Sequence, residues 1–279
     1  MLVEQGRIVK KVELAPRIKE IEVYAPEIVK RVKAGQFVIL TVDSKGERIP
    51  LTVADWGRDR GTITIVFQEV GVSTYKLGRL NVGDVLAHVV GPLGNPSEIS
   101  HFGTVVCVSG GVGTPAIYPI AREMKKVENH VISIIGVKSK ELLIYEDKMR
   151  SVSDELRITT DNGSKGRKGF VTDELRDLIS GGFKVDRVIT VGPAVMMKVC
   201  GEVTKRYKIK TIASLNPIMV CGMGMCGSCR VEVEGKIRFV CFEGPEFDAH
   251  KVNFDGLLMR LNAYRVEEQI ALKRYIENY

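Results

Sequence analysis

Residues 220–241 read VCGMGMCGSCRVEVEGKIRFVC, and this stretch holds Cys221, Cys226, Cys229 and Cys241, four of the six cysteines in the chain. The first three follow the spacing C-x4-C-x2-C, the run used by plant-type [2Fe–2S] sites. Two irons bridged by two sulfides need four outer ligands approaching from one compact loop. Gly222, Gly224 and Gly227 let the backbone fold tightly there, and their amides can donate to sulfur. After Cys229, "VEV" and "IRF" alternate apolar with polar around a Glu-Gly turn. That pattern predicts a hairpin that returns Cys241 as the fourth ligand. Structural zinc sites use two short C-x2–4-C pairs, and only one C-x2-C is present here. Thiols with no shared role are scattered and buried, as Cys107 and Cys200 are expected to be. Met219, Met223 and Met225 are read as packing residues.

Upstream, the chain divides into two patterns. Residues 1–100 carry short runs rich in β-branched residues, "IKEIEV", "QFVILTV", "TITIVF" and "DVLAHVV", punctuated by Gly and Pro. They predict a small antiparallel barrel or sandwich. Residues 101–212 alternate strands ("TVVCV", "HVISIIGV", "LRITT", "DRVITV") with helices ("LLIYEDKMR", "TDELRDLI", "AVMMKVCGEVTKRY"), which predicts a doubly wound parallel sheet complete before residue 211. The cysteine segment follows over 213–256. Residues 257–279 read as one amphipathic C-terminal helix with apolar side chains from Leu257 to Tyr279.

Within the sheet, "SGGVGTPAIYPI" puts Gly110, Gly111 and Gly113 between a strand and a helix. Thr114 is suited to the N-cap and Pro115 to the first helical position. Bare amides at a helix start attract phosphate. "VITVGPAVMM" repeats the theme, with Gly192 and Pro193 at the carboxyl end of another strand, where dinucleotides lie in such sheets. In the barrel, "ERIPLTVAD" predicts Arg48 before a Pro-Leu-Thr turn, and Gly71, Ser73 and Thr74 predict a small polar loop.

The bulk numbers limit the alternatives. The chain of 279 residues is 44% hydrophobic, enough for two cores. No run of about 18 apolar residues is present to span a membrane, and the N-terminus is charged where a signal peptide is apolar. Both features predict a cytoplasmic protein. The net charge of +7 is spread among interleaved acids and bases. That favours anionic cofactors or acidic partners over nucleic acid. The four histidines are expected at surface or packing positions, and no side chain is assigned an acid or base role.

Taken in order, the barrel with "RIPLT", the sheet with "GGVGTPA" and "GPAVMMK", and the segment "GMCGSCR…CFEGPEF" resemble the ferredoxin–NADP reductase superfamily. Within it, nearly the whole chain resembles the small subunit of NADH-dependent ferredoxin:NADP oxidoreductase, an electron-bifurcating enzyme. It is also similar to the electron-transfer subunit of dihydroorotate dehydrogenase. The resemblance implies a mixed all-β plus α/β fold: a barrel that binds FAD, a sheet domain for NAD(H) or NADP(H), a [2Fe–2S] segment and a C-terminal helix. It implies that Arg48, Pro50, Leu51 and Thr52 hold FAD and that Gly71, Ser73 and Thr74 contact its pyrophosphate. Gly111, Gly113, Thr114, Gly192 and Pro193 would hold the dinucleotide. It further implies a heterodimer with a larger iron–sulfur flavoprotein subunit, reaching ferredoxin through that complex. One position departs from the pattern. The bifurcating small subunit often has aspartate as its first cluster ligand, where this chain has Cys221. Full cysteine ligation is closer to the dihydroorotate type and puts bifurcation in question. A stand-alone ferredoxin–NAD(P) reductase and a zinc-binding structural protein are the competing readings. Lys138, Lys140, Lys165, Arg167 and Lys168 are cations that a 2′-phosphate would use, although the resemblance favours NAD(H).

Overall fold

The computed structural model describes residues 4–278, so Tyr279 and the first residues of the barrel segment lie outside the described residues. Strands β1 (Ile8–Ala15), β2 (Ile18–Tyr24), β3 (Phe37–Thr41), β4 (Arg48–Gly57), β5 (Thr62–Gln68) and β6 (His88–Leu93) form an antiparallel sheet in the order β1-β2-β5-β4-β3-β6. Just before β6, Arg7 bridges Val85 and the Ile8 amide donates to Asp84 (2.9 Å), which brings the two edges of the sheet together. Two helices lie in its connections, α1 (Pro26–Val29) and α2 (Val72–Arg79). The sequence of β3, FVILT, lacks the alternation of a half-buried strand, and both its faces are covered. Val38 and Leu40 point into the barrel core, while Phe37 and Ile39 lie under the cysteine segment.

Arg48–Thr52 lie in β4 rather than in a turn. Pro50 faces Ile39 of β3, and β4 pairs with β5 only from Val53 onward. The ring nitrogen therefore sits in a stretch with a neighbour on one side only, where a missing N–H costs no ladder bond. The Gly71–Thr74 stretch is likewise not a loop. It starts α2, with Gly71 at the N-cap and the Thr74 hydroxyl accepting from the Gly71 amide at 3.0 Å.

The second sheet is formed by β7 (Thr104–Gly110), β8 (His130–Val137), β9 (Glu155–Thr160), β10 (Arg167–Lys168), β11 (Arg187–Val191) and β12 (Lys210–Ser214). Its order is β10-β9-β8-β7-β11-β12, parallel throughout, with a topological switch between β7 and β11. Helix α3 (Gly113–Lys126) and α4 (Glu146–Ser151) cover one face, and α5 (Val171–Ser180) and α6 (Ala194–Lys205) cover the other. Strands β13 (Arg230–Val233) and β14 (Lys236–Phe239) form the expected hairpin, whose turn residues Glu234 and Gly235 both have left-handed φ. The chain then passes through α7 (Val240–Glu243) into β15 (Glu246–Asp248), which adds an antiparallel edge strand to β12. The sheet is therefore not complete before residue 211. It runs on to Ser214 and takes its last strand from the cysteine segment.

The C-terminal stretch is two helices, α8 (Phe254–Leu261) and α9 (Arg265–Glu277). Asn262 ends α8, and its side-chain amide donates to the Leu258 carbonyl. Phe254 and Leu257 enter the core beneath the cysteines. Helix α9 has no buried residue among those described. Its apolar residues spread around the axis, so it is not amphipathic.

At the junction of barrel, sheet and cysteine segment, Glu246 meets the Ser97 hydroxyl, and the Asn95 amide donates to Gly244. Desolvation there raises the Glu246 carboxyl above its ordinary range, against the pull of Ser97 and Arg187. A carboxyl raised in the folded state contributes stability in full below its unfolded value of about 4.3, and that stability is lost as pH rises through the folded value. Glu246→Gln is expected to remove this slope. Thermal melts from about pH 4.5 upward should show the native protein losing ground to the variant. Parallel curves would contradict the assignment.

Candidate functional site

The four cysteines come together as two pairs. The Cys229 and Cys241 sulfurs are 3.2 Å apart in the buried core. Cys221 and Cys226 interact at the surface end of the loop. Among the described residues, no three His, Cys, Asp or Glu side chains converge on a point suited to one metal ion. Two pairs are what a binuclear cluster requires, two cysteines for each iron. The loop backbone points inward: the amides of Met223, Met225 and Cys226 lie 3.4–3.5 Å from the Cys221 sulfur, and the Gly224 amide is 3.2 Å from Cys241. Gly222, Gly224 and Gly227 all take φ between 71° and 79°, a left-handed region where a side chain is strained. Such a run of inward amides is a nest for an anionic centre.

The electrostatics follow the pairing. Hydrogen bonds from the Ser228 hydroxyl and amide bring the Cys226 thiol down to about 6. Burial works against Cys221, but the amides of Met223, Cys226 and Met225 outweigh it and lower its pKa. Burial, with Cys229 alongside, pushes Cys241 up to about 12. Cys241 therefore needs a cation to ionise at neutral pH, and the donor set fits an iron–sulfur cluster. Cys107 and Cys200 are wholly buried.

Arg48 reaches this loop. Its Nε donates to the Val220 carbonyl at 2.7 Å, and Gly222 is packed so closely on the barrel that a methyl there would stand 2.6 Å from Ile39 Cδ1. The next-door residue, Glu47, accepts from the Ser73 hydroxyl at 2.6 Å, so the starts of β4 and α2 adjoin. Leu51 and Thr52 are half-buried in the part of β4 that pairs with β3 alone, with Leu51 packed on the barrel core. A methyl on Gly71 would meet nothing within 4 Å. An open strand edge beside an unobstructed helix start fits a ligand with a flat ring and a pyrophosphate.

The two sheet turns also meet. A methyl on Gly192 would lie 3.0 Å from the Gly110 nitrogen, and one on Gly113 would lie 2.2 Å from the Val191 carbonyl oxygen. Gly111 has φ 53° and open space above it, and Pro193 is exposed. Thr114 differs from expectation. Val112 is the N-cap, and Thr114 is wholly buried with its hydroxyl 3.0 Å from that of Ser109. Its side chain braces the turn from behind rather than facing the cleft. Sequence reasoning also missed Ser228, Glu47 and a polar cluster between barrel and sheet built on Asp55, Trp56 and Arg122. The one available signal was that Trp56 is the chain's single tryptophan.

Known proteins share this arrangement. The family described as the iron-sulfur cluster binding domain of dihydroorotate dehydrogenase B matches residues 216–253. The chain is 44% identical to a Thermotoga maritima homolog of the dihydroorotate dehydrogenase B (NAD(+)) electron transfer subunit, over 98% of this chain and 96% of that one. The chain belongs to the dihydroorotate dehydrogenase B electron transfer subunit family. The family's Streptococcus thermophilus electron transfer subunit is 33% identical, over 90% of this chain and 99% of its own. A solved structure of the NADH-dependent reduced ferredoxin-NADP oxidoreductase, from work on flavin-based electron bifurcation, superposes with a TM-score of 0.93 at 43% identity, covering 98% of this chain and 99% of that one. Phthalate dioxygenase reductase, at 16% identity and a TM-score of 0.60, shares the fold. For this family member, the barrel, doubly wound sheet and cysteine segment are the expected mixed β and α/β architecture. Among the described residues no helix is long and apolar enough to cross a membrane.

Proposed function

We propose that the chain passes electrons from NADH through FAD and a [2Fe–2S] cluster to a larger flavoprotein subunit. The observation that carries this reading is the pair of cysteine pairs ringed by inward amides, set against the unpaired edge of β4. Flavin supplies the exchange between two-electron and one-electron transfer, and the cluster carries single electrons. The chain's own residues bind and orient. Gly111, Gly192 and Pro193 line the dinucleotide turns, and Gly113 lets them close together. The edge of Arg48, Pro50, Leu51 and Thr52 receives the flavin, with Gly71, Ser73 and Thr74 at its pyrophosphate. Arg48 ties that edge to the cluster loop. Cys221, Cys226, Cys229 and Cys241 hold the cluster, and the four loop amides stabilise its charge. Lys165 and Arg167 are engaged by Glu146 and by Glu174 and Asp177, which supports NAD(H) over NADP(H). Cysteine at 221 favours the dihydroorotate-type subunit within the family. Free cysteine ligands call for the reducing cytoplasm.

The partner's surface follows from exposure. Met223 and Met225 are exposed on the cluster loop beside Phe242, so only Met219 of the three methionines is a packing residue. An apolar surface at an electron exit suits a protein partner that must come close. Helix α9, whose Tyr275 ring lies under the Arg79 guanidinium of α2, carries exposed Val266, Ile270 and Ile276, and it is a second part of the proposed partner surface. Deleting residues 262–279 spares α8 and is expected to leave flavin and iron content intact while abolishing co-purification of the larger subunit. Undiminished binding of that subunit by the truncated chain would place the interface elsewhere. The function itself is tested anaerobically: NADH should bleach the flavin of the purified chain within the mixing time of a hand assay, and NADPH should do so far more slowly. A chain without flavin, or flavin that NADH leaves oxidised, would overturn the proposal.

A further inference from the structure

The barrel and the sheet domain share one continuous apolar core, in which Ala15, Ile18, Ala54 and Val66 of the barrel meet Val105, Ile117, Ile120 and Ala121 of the sheet domain. Apolar contact is non-directional and resists tilting weakly. Directional contacts border it. Arg122 of α3 places Nη1 2.6 Å from Asp55 Oδ1 of β4, and the same carboxylate oxygen accepts from the Trp56 amide at 2.9 Å. The guanidinium lies over the Trp56 ring at 4.8 Å and near the Tyr118 ring at 5.5 Å, with Glu123 on its Nε. A second contact joins the same faces, where the Tyr145 hydroxyl donates to Glu20 of β2 at 2.6 Å and Lys148 sits over the Tyr145 ring. Arg122 and Asp55 are both partly open to water, so their ion pair adds little stability. What it fixes is orientation.

We infer that Arg122, held by Asp55, Trp56 and Tyr118, is the positioning residue that sets the nicotinamide turn against the flavin strand; this rests on the function proposed above. The two elements it joins carry the two candidate sites. Strand β4 begins with Arg48–Thr52, and α3 begins at Gly113. Nine residues of helix separate Gly113 from Arg122, about 14 Å at 1.5 Å per residue. A tilt of about 5° at the clamp moves the turn by about 1 Å over that length. A misplacement of about 1 Å in reacting groups costs on the order of 100-fold in rate.

The test uses the full chain with its flavin. Arg122→Gln and Asp55→Asn are expected to slow flavin reduction at saturating NADH by about 10- to 100-fold, with the NADH dissociation constant changed less than about threefold. The long-wavelength absorbance of the nicotinamide–flavin contact should weaken in step. Trp56, as the single tryptophan, reports the clamp directly, and its quenching by acrylamide should rise in both variants. Arg122→Lys keeps the ion pair but loses the planar stack, and it should recover part of the rate. Native rate, native contact absorbance and native quenching in Arg122→Gln would overturn the inference. Loss of rate with unchanged contact absorbance would also overturn it, because the turn would then be correctly placed. A native chain that binds no flavin or is not bleached by NADH would instead defeat the proposed function.

Discussion

Replacing Cys241 with Ser should strip the chain of iron while leaving its flavin in place. Cys241 is buried beside Cys229, 3.2 Å away, and accepts from the Gly224 amide. A hydroxyl there is a poor thiolate substitute, because soft thiolates are what iron–sulfur centres select. Loss of an outer-sphere partner of a metal ligand already costs about 10- to 100-fold in affinity. Loss of the ligand itself should exceed that, so iron falls from about two per chain, the content of such a cluster, to near zero. Flavin bleaching by NADH should stay within about twofold, since the cysteine pairs lie outside the dinucleotide turns, whereas transfer to the larger subunit should fall by more than about 100-fold. Iron analysis and the visible spectrum of anaerobically purified protein check this. Cys107→Ala and Cys200→Ala serve as controls and should retain full iron. Iron retention in Cys241→Ser would remove Cys241 from the ligand set.

Gly113→Ala should damage the two glycine turns of the sheet domain more than a methyl on Gly110, Gly111 or Gly192. The added carbon would lie 2.2 Å from the Val191 oxygen, 2.8 Å from its carbonyl carbon and 3.0 Å from Gly192 Cα. All three are backbone atoms and cannot rotate aside. Either α3 lifts from β11 or the Gly192 turn shifts, and overpacking of this kind costs about 1–3 kcal/mol or more. Both outcomes disturb the two turns that meet there. NADH affinity should fall at least about tenfold, equivalent to about 1.4 kcal/mol, and the melting temperature should drop. Gly111→Ala makes the contrast. Its methyl would meet open space, so its cost is the left-handed backbone, about 1–2 kcal/mol, and its effect on NADH binding should be the smaller. Equal effects of the two substitutions, measured by calorimetry and NADH titration, would contradict this account of the turn.

What is legible in the sequence is what is local. The cysteine spacing, the Glu-Gly hairpin and the glycine turn are each set by neighbours a few residues apart, and each keeps its shape in the fold. The misreadings have local causes too. Pro50 suggests a turn, but β4 has an unpaired side there and tolerates it. Gly71, Ser73 and Thr74 look like a loop, yet the Thr74 hydroxyl caps a helix. Thr114 has the chemistry of an N-cap, but the chain enters α3 two residues earlier and turns that side chain toward Ser109. The C-terminal helix divides at Asn262, whose side chain satisfies the preceding turn. The clamp is out of reach of such reasoning. Asp55 and Arg122 are 67 residues apart, and Glu20 and Tyr145 are 125 apart, so only the docking of barrel on sheet reveals them. β15 is a further case: its three residues EFD carry no strand signal and become a strand because β12 offers an edge.

Electrons entering as NADH are proposed to leave one at a time through the cysteine segment. Low-temperature EPR after anaerobic addition of NADH to the flavin- and iron-replete chain decides this. The expected result is a rhombic signal of a reduced [2Fe–2S] centre, integrating to about one spin per chain, absent from Cys241→Ser. Flavin that bleaches fully with no such signal, or protein that carries zinc without iron, would contradict it.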